Sequence, residues 1–241
     1  MSPRQRVALD PPARRTYYAV LLGALLGAAW GCVRGPARIA PSGLEPTEAE
    51  LVRQWLSSYL PDSARRYELR WRFHTPRGST AGRAAVRVSP PDSLRFDYRG
   101  PFGRSGAAVV VGDSALWAEP EEETGELIPV APLFWAGLGL PPAPPEGALV
   151  FAREGSSGRA WRYVLNGDTL DFVEVGRAPE RLLSQLLRGR ILATAAVRFQ
   201  PGNRLPIEGE ISFPPEGALF RFTVEAIESV ASFDPSIWRR P

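Results

Sequence analysis

The chain has 241 residues, 44% of them apolar, 10% aromatic and 23% charged, a globular composition with room for one domain of ~200 residues. Its formal charge of +3 is carried by residues 1–31, where Arg4, Arg6, Arg14 and Arg15 oppose only Asp10, so the remainder is near neutral. A nucleic-acid partner requires a basic face that a near-neutral domain does not supply, which excludes that class.

Behind the N-terminal arginines, "YYAVLLGALLGAAWG" (Tyr17–Gly31) is an uncharged apolar run, short for a membrane span, and residues 1–31 read as a signal peptide. Cys32, the chain's one cysteine, closes this run. A lone thiol makes no internal disulfide. At this position it resembles the lipobox cysteine of a bacterial lipoprotein, which is acylated and becomes residue one of the mature chain. An ordinary signal peptide that contains a cysteine is the alternative. Two or three acyl chains anchor a protein stably, where one does not. Val33 stands where inner-membrane retention asks for Asp, so the lipobox resemblance implies the outer membrane, facing the periplasm. "RRTYY" (Arg14–Tyr18) leaves twin-arginine export open beside the general route.

Residues 32–44 are rich in Pro and Gly without periodicity and read as a lipidated tether, with the domain proper at 45–241. A helix opens the domain. Thr47 and Glu50 have capping-box spacing, Leu51, Trp55 and Tyr59 repeat at helical spacing with Val52 and Leu56 beside them, and Pro61 ends the run.

The period then changes to two. Tyr67, Leu69, Trp71 and Phe73 alternate with Glu68, Arg70 and Arg72; Leu94, Phe96 and Tyr98 alternate with Arg95, Asp97 and Arg99. Similar runs recur near 83–89, 105–112, 114–118, 148–153, 159–166, 168–175, 191–199, 206–213 and 218–228, separated by hairpin-turn chemistry such as "NGDT" and "QPGN". About eleven antiparallel strands follow, enough for a sheet that curls into a barrel or half-barrel. Helical interruptions are expected near 131–139 and 179–188. The fold class is therefore mainly β with a few helices: a half-open antiparallel β-barrel under a helical lid.

The expected inward face is aromatic, with Tyr67, Trp71, Phe73, Phe96, Trp117, Phe151, Trp161, Tyr163, Phe220 and Phe222. Aromatic residues suit strands and fill small barrels, whereas eleven strands enclose more volume than one layer of side chains fills. Pattern alone leaves a filled core and a cavity equally open.

The residue inventory argues against an enzyme. All 29 basic residues are Arg, which removes a phosphate-loop lysine, a Schiff base and a Ser–Lys dyad. His74, the one histidine, ends a strand with no G-x-S-x-G motif anywhere and no zinc-ligand spacing. The acidic cluster Glu119, Glu121, Glu122 and Glu123 reads as solvated charge in a loop. No catalytic residue, metal or cofactor is expected.

Two stretches stand out. "RGPFGRSG" (Arg99–Gly106) puts Phe102 at the tip of a turn that needs only its Gly and Pro. "LIPVAPLFWAGLGLP" (Leu127–Pro141) is a short helix apolar on every face, which must be buried or touch lipid. Together with "QWLSSYL", "GRAWRYVLNGDTL" and "LPIEGEISF" in this order, they resemble the outer-membrane receptors of the LolA/LolB lipoprotein-carrier family over roughly residues 45–228. The resemblance implies a half-open barrel whose apolar cavity accepts acyl chains of lipids or lipoproteins. Its membrane-inserting loop would be Pro101, Phe102 and Gly103, with Phe in place of the usual Leu. Its cavity would be lined by Leu69, Trp71, Phe73, Leu94, Phe96 and Trp117, and further by Leu133, Trp135, Leu138, Trp161 and Tyr163. The partners implied are lipoproteins or lipid acyl chains, the outer membrane, and a soluble periplasmic carrier. The tail "SVASFDPSIWRRP" runs past the usual end of such receptors.

Physical chemistry supplies the same task with a reason. At ~0.8 kcal/mol per CH₂, three acyl chains carry roughly 35–40 kcal/mol of hydrophobic cost in water. The competing readings are a non-enzymatic envelope sensor of the same fold and a structural envelope lipoprotein with a filled barrel.

Overall fold

Among the described residues, thirteen antiparallel strands form one curved sheet that does not close, with two short helices against its inner face. The computed structural model describes residues 39–112, 114–121, 130–156, 158–176 and 180–240. The expected signal peptide, Cys32 and the expected tether up to residue 38 lie outside the described residues, as do Glu122, Glu123 and Leu127–Pro129.

β1 (Glu45–Pro46) is a two-residue edge strand, followed by helix α1 (Ala49–Ser57). β2 (Ala64–Thr75), β3 (Gly78–Ser89), β4 (Ser93–Arg99), β5 (Ser105–Val111) and β6 (Ser114–Glu119) form a meander, and helix α2 (Ala131–Gly137) comes after it. β7 (Leu149–Gly155), β8 (Gly158–Leu165), β9 (Asp168–Val175) and β10 (Arg181–Arg188) start a second meander. β11 (Arg190–Phe199), β12 (Pro206–Phe213) and β13 (Ala218–Val230) complete it. β13 pairs with β2, so the second meander is spliced to the first, leaving β1 and β6 as the free edges.

Eleven strands were expected, and all are present. The two added are β1 and β10. "RLLSQLLR" was read as helix; it is β10, hydrogen-bonded on one side to β9 and on the other to β11, with Leu182, Ser184 and Leu186 on the inner face. Leu, Gln and Arg suit a helix, but two neighbouring strands with unsatisfied backbone groups reward extension more than local propensity rewards helix.

Helix α1 buries Val52, Trp55 and Leu56 and leaves Leu51 39% exposed at its rim. The Thr47–Glu50 capping box does not form: Glu48 occupies the N-cap without a side-chain bond, and the Thr47 amide donates to the Val150 carbonyl instead (3.0 Å). Joining β1–β7 takes precedence over capping. Helix α2 is buried on nearly every face, as its composition requires. Gly209 makes room for it, since a Cβ there would lie 2.8 Å from the Gly137 carbonyl oxygen and 2.3 Å from the Phe222 ring.

The outer face holds two covers. The tail after β13 ends in a 3₁₀ turn, Pro235–Trp238, capped by Asp234, whose carboxylate accepts from the Ser236 amide at 2.7 Å. This turn lies over β4 and β6, where Arg95 donates to the Ile237 carbonyl and the Trp117 indole donates to Trp238 at 3.1 Å. On the other half of the sheet, Asp171 is fully buried. It takes a two-pronged bond from Arg162 (2.5 and 3.0 Å) and a third from Gln185 at 2.9 Å. Gln185 in turn accepts from the Ile39 amide (3.1 Å) and donates to the Ile39 carbonyl, so the segment expected as tether is bound to the sheet at Ile39 as a neighbouring strand would be.

Candidate lipid-binding interior and tip

Strand alternation places Leu69, Trp71, Leu94, Phe96, Trp161 and Tyr163 on the inner face, all buried, with Phe73 partly buried against them. Helix α2 adds Leu133 and Trp135, and Leu138 follows it, also buried. The rings interlock. Phe96 meets Phe134 edge-on at 5.2 Å, Phe134 lies 6.3 Å from Phe220, and Trp161 stacks on Phe172 at 5.2 Å and meets Trp55 of helix α1 edge-on at 6.2 Å. Edge-on and offset pairs of this kind add ~0.5–1.5 kcal/mol each to their burial.

Trp117, expected to line the interior, lies on the outer face. It pairs with Val109 across β5, stacks under the Arg95 guanidinium (5.3 Å) and is covered by the C-terminal tail. A bulge between Val109 and Val110 leaves Leu116 unopposed on this edge strand, and the tail supplies the cover that makes an outward Trp stable. Phe151, also expected inside, alternates outward between the buried Val150 and Ala152.

Strand count leaves a filled core and a cavity equally open, and among the described residues the space under helix α2 is filled. Between helix α2 and the β4–β5 pair there is a void of ≈ 20 Å³, lined by Leu94, Phe96, Ala108, Val110, Phe134 and Trp135. That volume suits about one water and holds no acyl chain. Helix α2 and the Phe220–Phe222 pair fill space that a bare curved sheet would leave open, so a chain entering between helix α2 and the β4–β5 pair would have to displace them.

At the end of helix α1 the interior is sealed by a polar group of three. The Tyr59 hydroxyl donates to the buried Glu174 carboxylate, Arg204 approaches Glu174 to 3.5 Å, and the Arg204 guanidinium lies 4.0 Å over the Tyr59 ring. Burial, then the Glu174 charge, pushes the Tyr59 hydroxyl well above the ordinary tyrosine range.

Phe102 is fully exposed, at 102% relative accessibility. It sits between β4 and β5 in a 3₁₀ turn, Pro101–Gly103, closed by the Gly100 amide donating to the Arg104 carbonyl (2.8 Å). Phe102 and Gly103 both take left-handed backbone, with φ of 58° and 77°. Nothing in the turn folds the ring back onto the sheet.

On the outer face beside this tip runs a groove of ≈ 650 Å³ lined by Arg66, Arg83, Arg87, Arg95 and Arg99 against Glu68, Asp97 and Glu119. Sequence reading did not anticipate it; its signal was the Arg-rich outward register of β2–β4. His74 is exposed and bonds Ser79 (2.7 Å). Among the described residues no cluster of His, Cys, Asp or Glu could hold a metal, and no helix is long and apolar enough to cross a membrane.

The chain thus presents an open antiparallel half-barrel around an apolar interior, with one aromatic tip projecting into solvent. Among solved structures it is similar to a LolA superfamily protein from Nitrosomonas europaea, at 12% identity and a TM-score of 0.49, over 80% of this chain and 98% of that one. It is also similar to a putative outer membrane lipoprotein-sorting protein domain from Vibrio parahaemolyticus, at 6% identity and a TM-score of 0.41, over 79% and 95%. A third is MucB of Pseudomonas aeruginosa in complex with MucA, at 10% identity and a TM-score of 0.33; the match covers 80% of this chain and 60% of the MucB chain. No protein-family model and no curated protein matches the chain.

Proposed function

We propose that this is a non-enzymatic lipid- or lipoprotein-binding protein of the cell envelope, anchored in the outer membrane through Cys32. In this reading it takes acyl chains against its aromatic inner face and passes them to a membrane touched by Phe102. The observation that carries the proposal is the exposure of Phe102. A Phe ring gains ~1.5–3 kcal/mol on leaving water, yet here it projects into solvent on backbone that disfavours side chains. That arrangement is useful only if the ring meets something apolar outside the chain. An inner face built mainly from aromatic and aliphatic side chains, whose Tyr59–Glu174–Arg204 group is paired within itself at one end, suits acyl chains. A sensor of the same fold would have no use for a membrane-touching tip.

Phe102→Glu is expected to fold as the parent does, because the ring is outside the core. It should slow transfer of a fluorescent triacylated lipopeptide from the protein to phospholipid vesicles about tenfold, the equivalent of ~1.4 kcal/mol. Parent-like transfer by the variant would overturn the role of the tip. The packed interior favours a second reading, a structural envelope lipoprotein with a filled barrel. Failure of the parent protein to take up the lipopeptide would decide for that one.

A further inference from the structure

We propose that Arg99 and Arg104, which bracket Phe102, select anionic phospholipid for the tip. The inference rests on the membrane-contact reading of Phe102 and adds which lipid surface is contacted. Arginine is abundant across this protein, and its usual state here is to be paired. Arg87 and Arg95 are tied to Asp97, Arg66 to Glu68, Arg70 to Glu225, Arg188 to Asp168 and Arg221 to Glu210. Of the 22 described arginines nine have no ion-pair partner, and what sets Arg99 and Arg104 apart among these is their place on either side of the tip. Both are exposed, and neither has an ion-pair or side-chain hydrogen-bond partner among the described residues.

Their placement follows from the turn. The Gly100–Arg104 backbone bond closes the loop, and Arg99 pairs with Ser105 at the end of the ladder. The two guanidinium groups therefore start from either flank of the projecting ring. Glu119, at the end of β6, faces Arg240 at 3.5 Å. The tip is thus an apolar ring with an unneutralised cation on each side.

A ring that enters the acyl boundary of a bilayer puts its flanking residues at headgroup depth. There the arginine stems lie along apolar surface while the planar guanidinium reaches phosphate oxygens in a two-pronged bond. Zwitterionic headgroups offer phosphate with a compensating cation, whereas anionic headgroups offer it without one. Each arginine near an anionic surface favours contact about fivefold, so the pair favours it about 25-fold.

The full-length protein reconstituted in vesicles gives the test, with Phe102→Trp as reporter and brominated acyl chains as quencher, read as the difference from the parent. Vesicles of phosphatidylcholine are compared with vesicles that also contain phosphatidylglycerol. The ratio of quenched to unquenched reporter is expected to rise about 25-fold with the anionic lipid. It should return to the phosphatidylcholine value in the Arg99→Gln/Arg104→Gln background and at high salt. Equal quenching in the two lipids, or anionic preference that survives loss of both arginines, would overturn the proposal while leaving membrane contact intact. No quenching in either lipid would overturn the membrane-contact reading and this inference together.

Discussion

Phe102 and Asn166 are the two residues with a side chain that take left-handed backbone among the described residues, and they show opposite choices. At the β8–β9 hairpin the chain uses Asn166–Gly167, the pair such a turn prefers. At the β4–β5 tip it uses Phe–Gly, although left-handed backbone costs an ordinary side chain roughly 1–2 kcal/mol. Replacing Phe102 by Gly relieves that strain but frees the unfolded chain, for a net gain of roughly 0.5–1 kcal/mol. Phe102→Gly is thus expected to be more stable than the parent in urea denaturation and poorer at membrane contact. Lower stability in the variant would mean that the ring supports the fold, and that its exposure is not a functional expense.

Helix α1 is held at its C-terminal end by chemistry unlike the rest of the interior. Tyr59 packs on Phe199 (6.1 Å) and shares Glu174 with Arg204, whose other nitrogen donates to the Ser58 hydroxyl (2.5 Å). Tyr59→Phe keeps the ring but leaves a buried carboxylate short of a donor, at a cost of ~1–3 kcal/mol. The variant should show faster hydrogen exchange at the amides of Trp55 and Leu56 than at those of the β2–β3 ladder. Uniform acceleration would mean that the group stabilises the whole fold and does not latch one helix. Little of this was legible in advance, because Glu174 and Arg204 read as strand and loop charges until the sheet curls. The strands themselves were legible wherever one face was apolar and the other charged, as in β2 and β4. β10 was not, since "RLLSQLLR" satisfies both periods and only its neighbours decide between them. The outward turn of Trp117 depended on a bulge and on a tail distant in sequence. The Gly and Pro of the tip announced the turn, but its exposure depended on a backbone angle that composition does not fix.

At the scale of the whole molecule, the interior stores three tyrosines whose hydroxyls burial pushes above the ordinary tyrosine range: Tyr59, Tyr67 and Tyr163. The folded pKa lies above the unfolded value of 10.0, so their contribution to stability is complete below pH 10 and is lost as pH rises beyond it. In an alkaline titration, tyrosinate absorbance from these three should appear together with the loss of β circular dichroism. Their ionisation near pH 10 with the sheet intact would refute that coupling. The contact between Gln185 and Ile39 bears on the molecule in another way. It marks the first described residue of the domain, held on the sheet. With Cys32 as the proposed anchor, seven peptide steps remain, a reach of at most roughly 25 Å. If Cys32 is the anchor, a link that short would confine the barrel to a shell about one domain deep above the bilayer. The tip would then meet lipid at the high effective concentration of a tethered ligand, and modest gains from one ring and two arginines would suffice for repeated, brief contact.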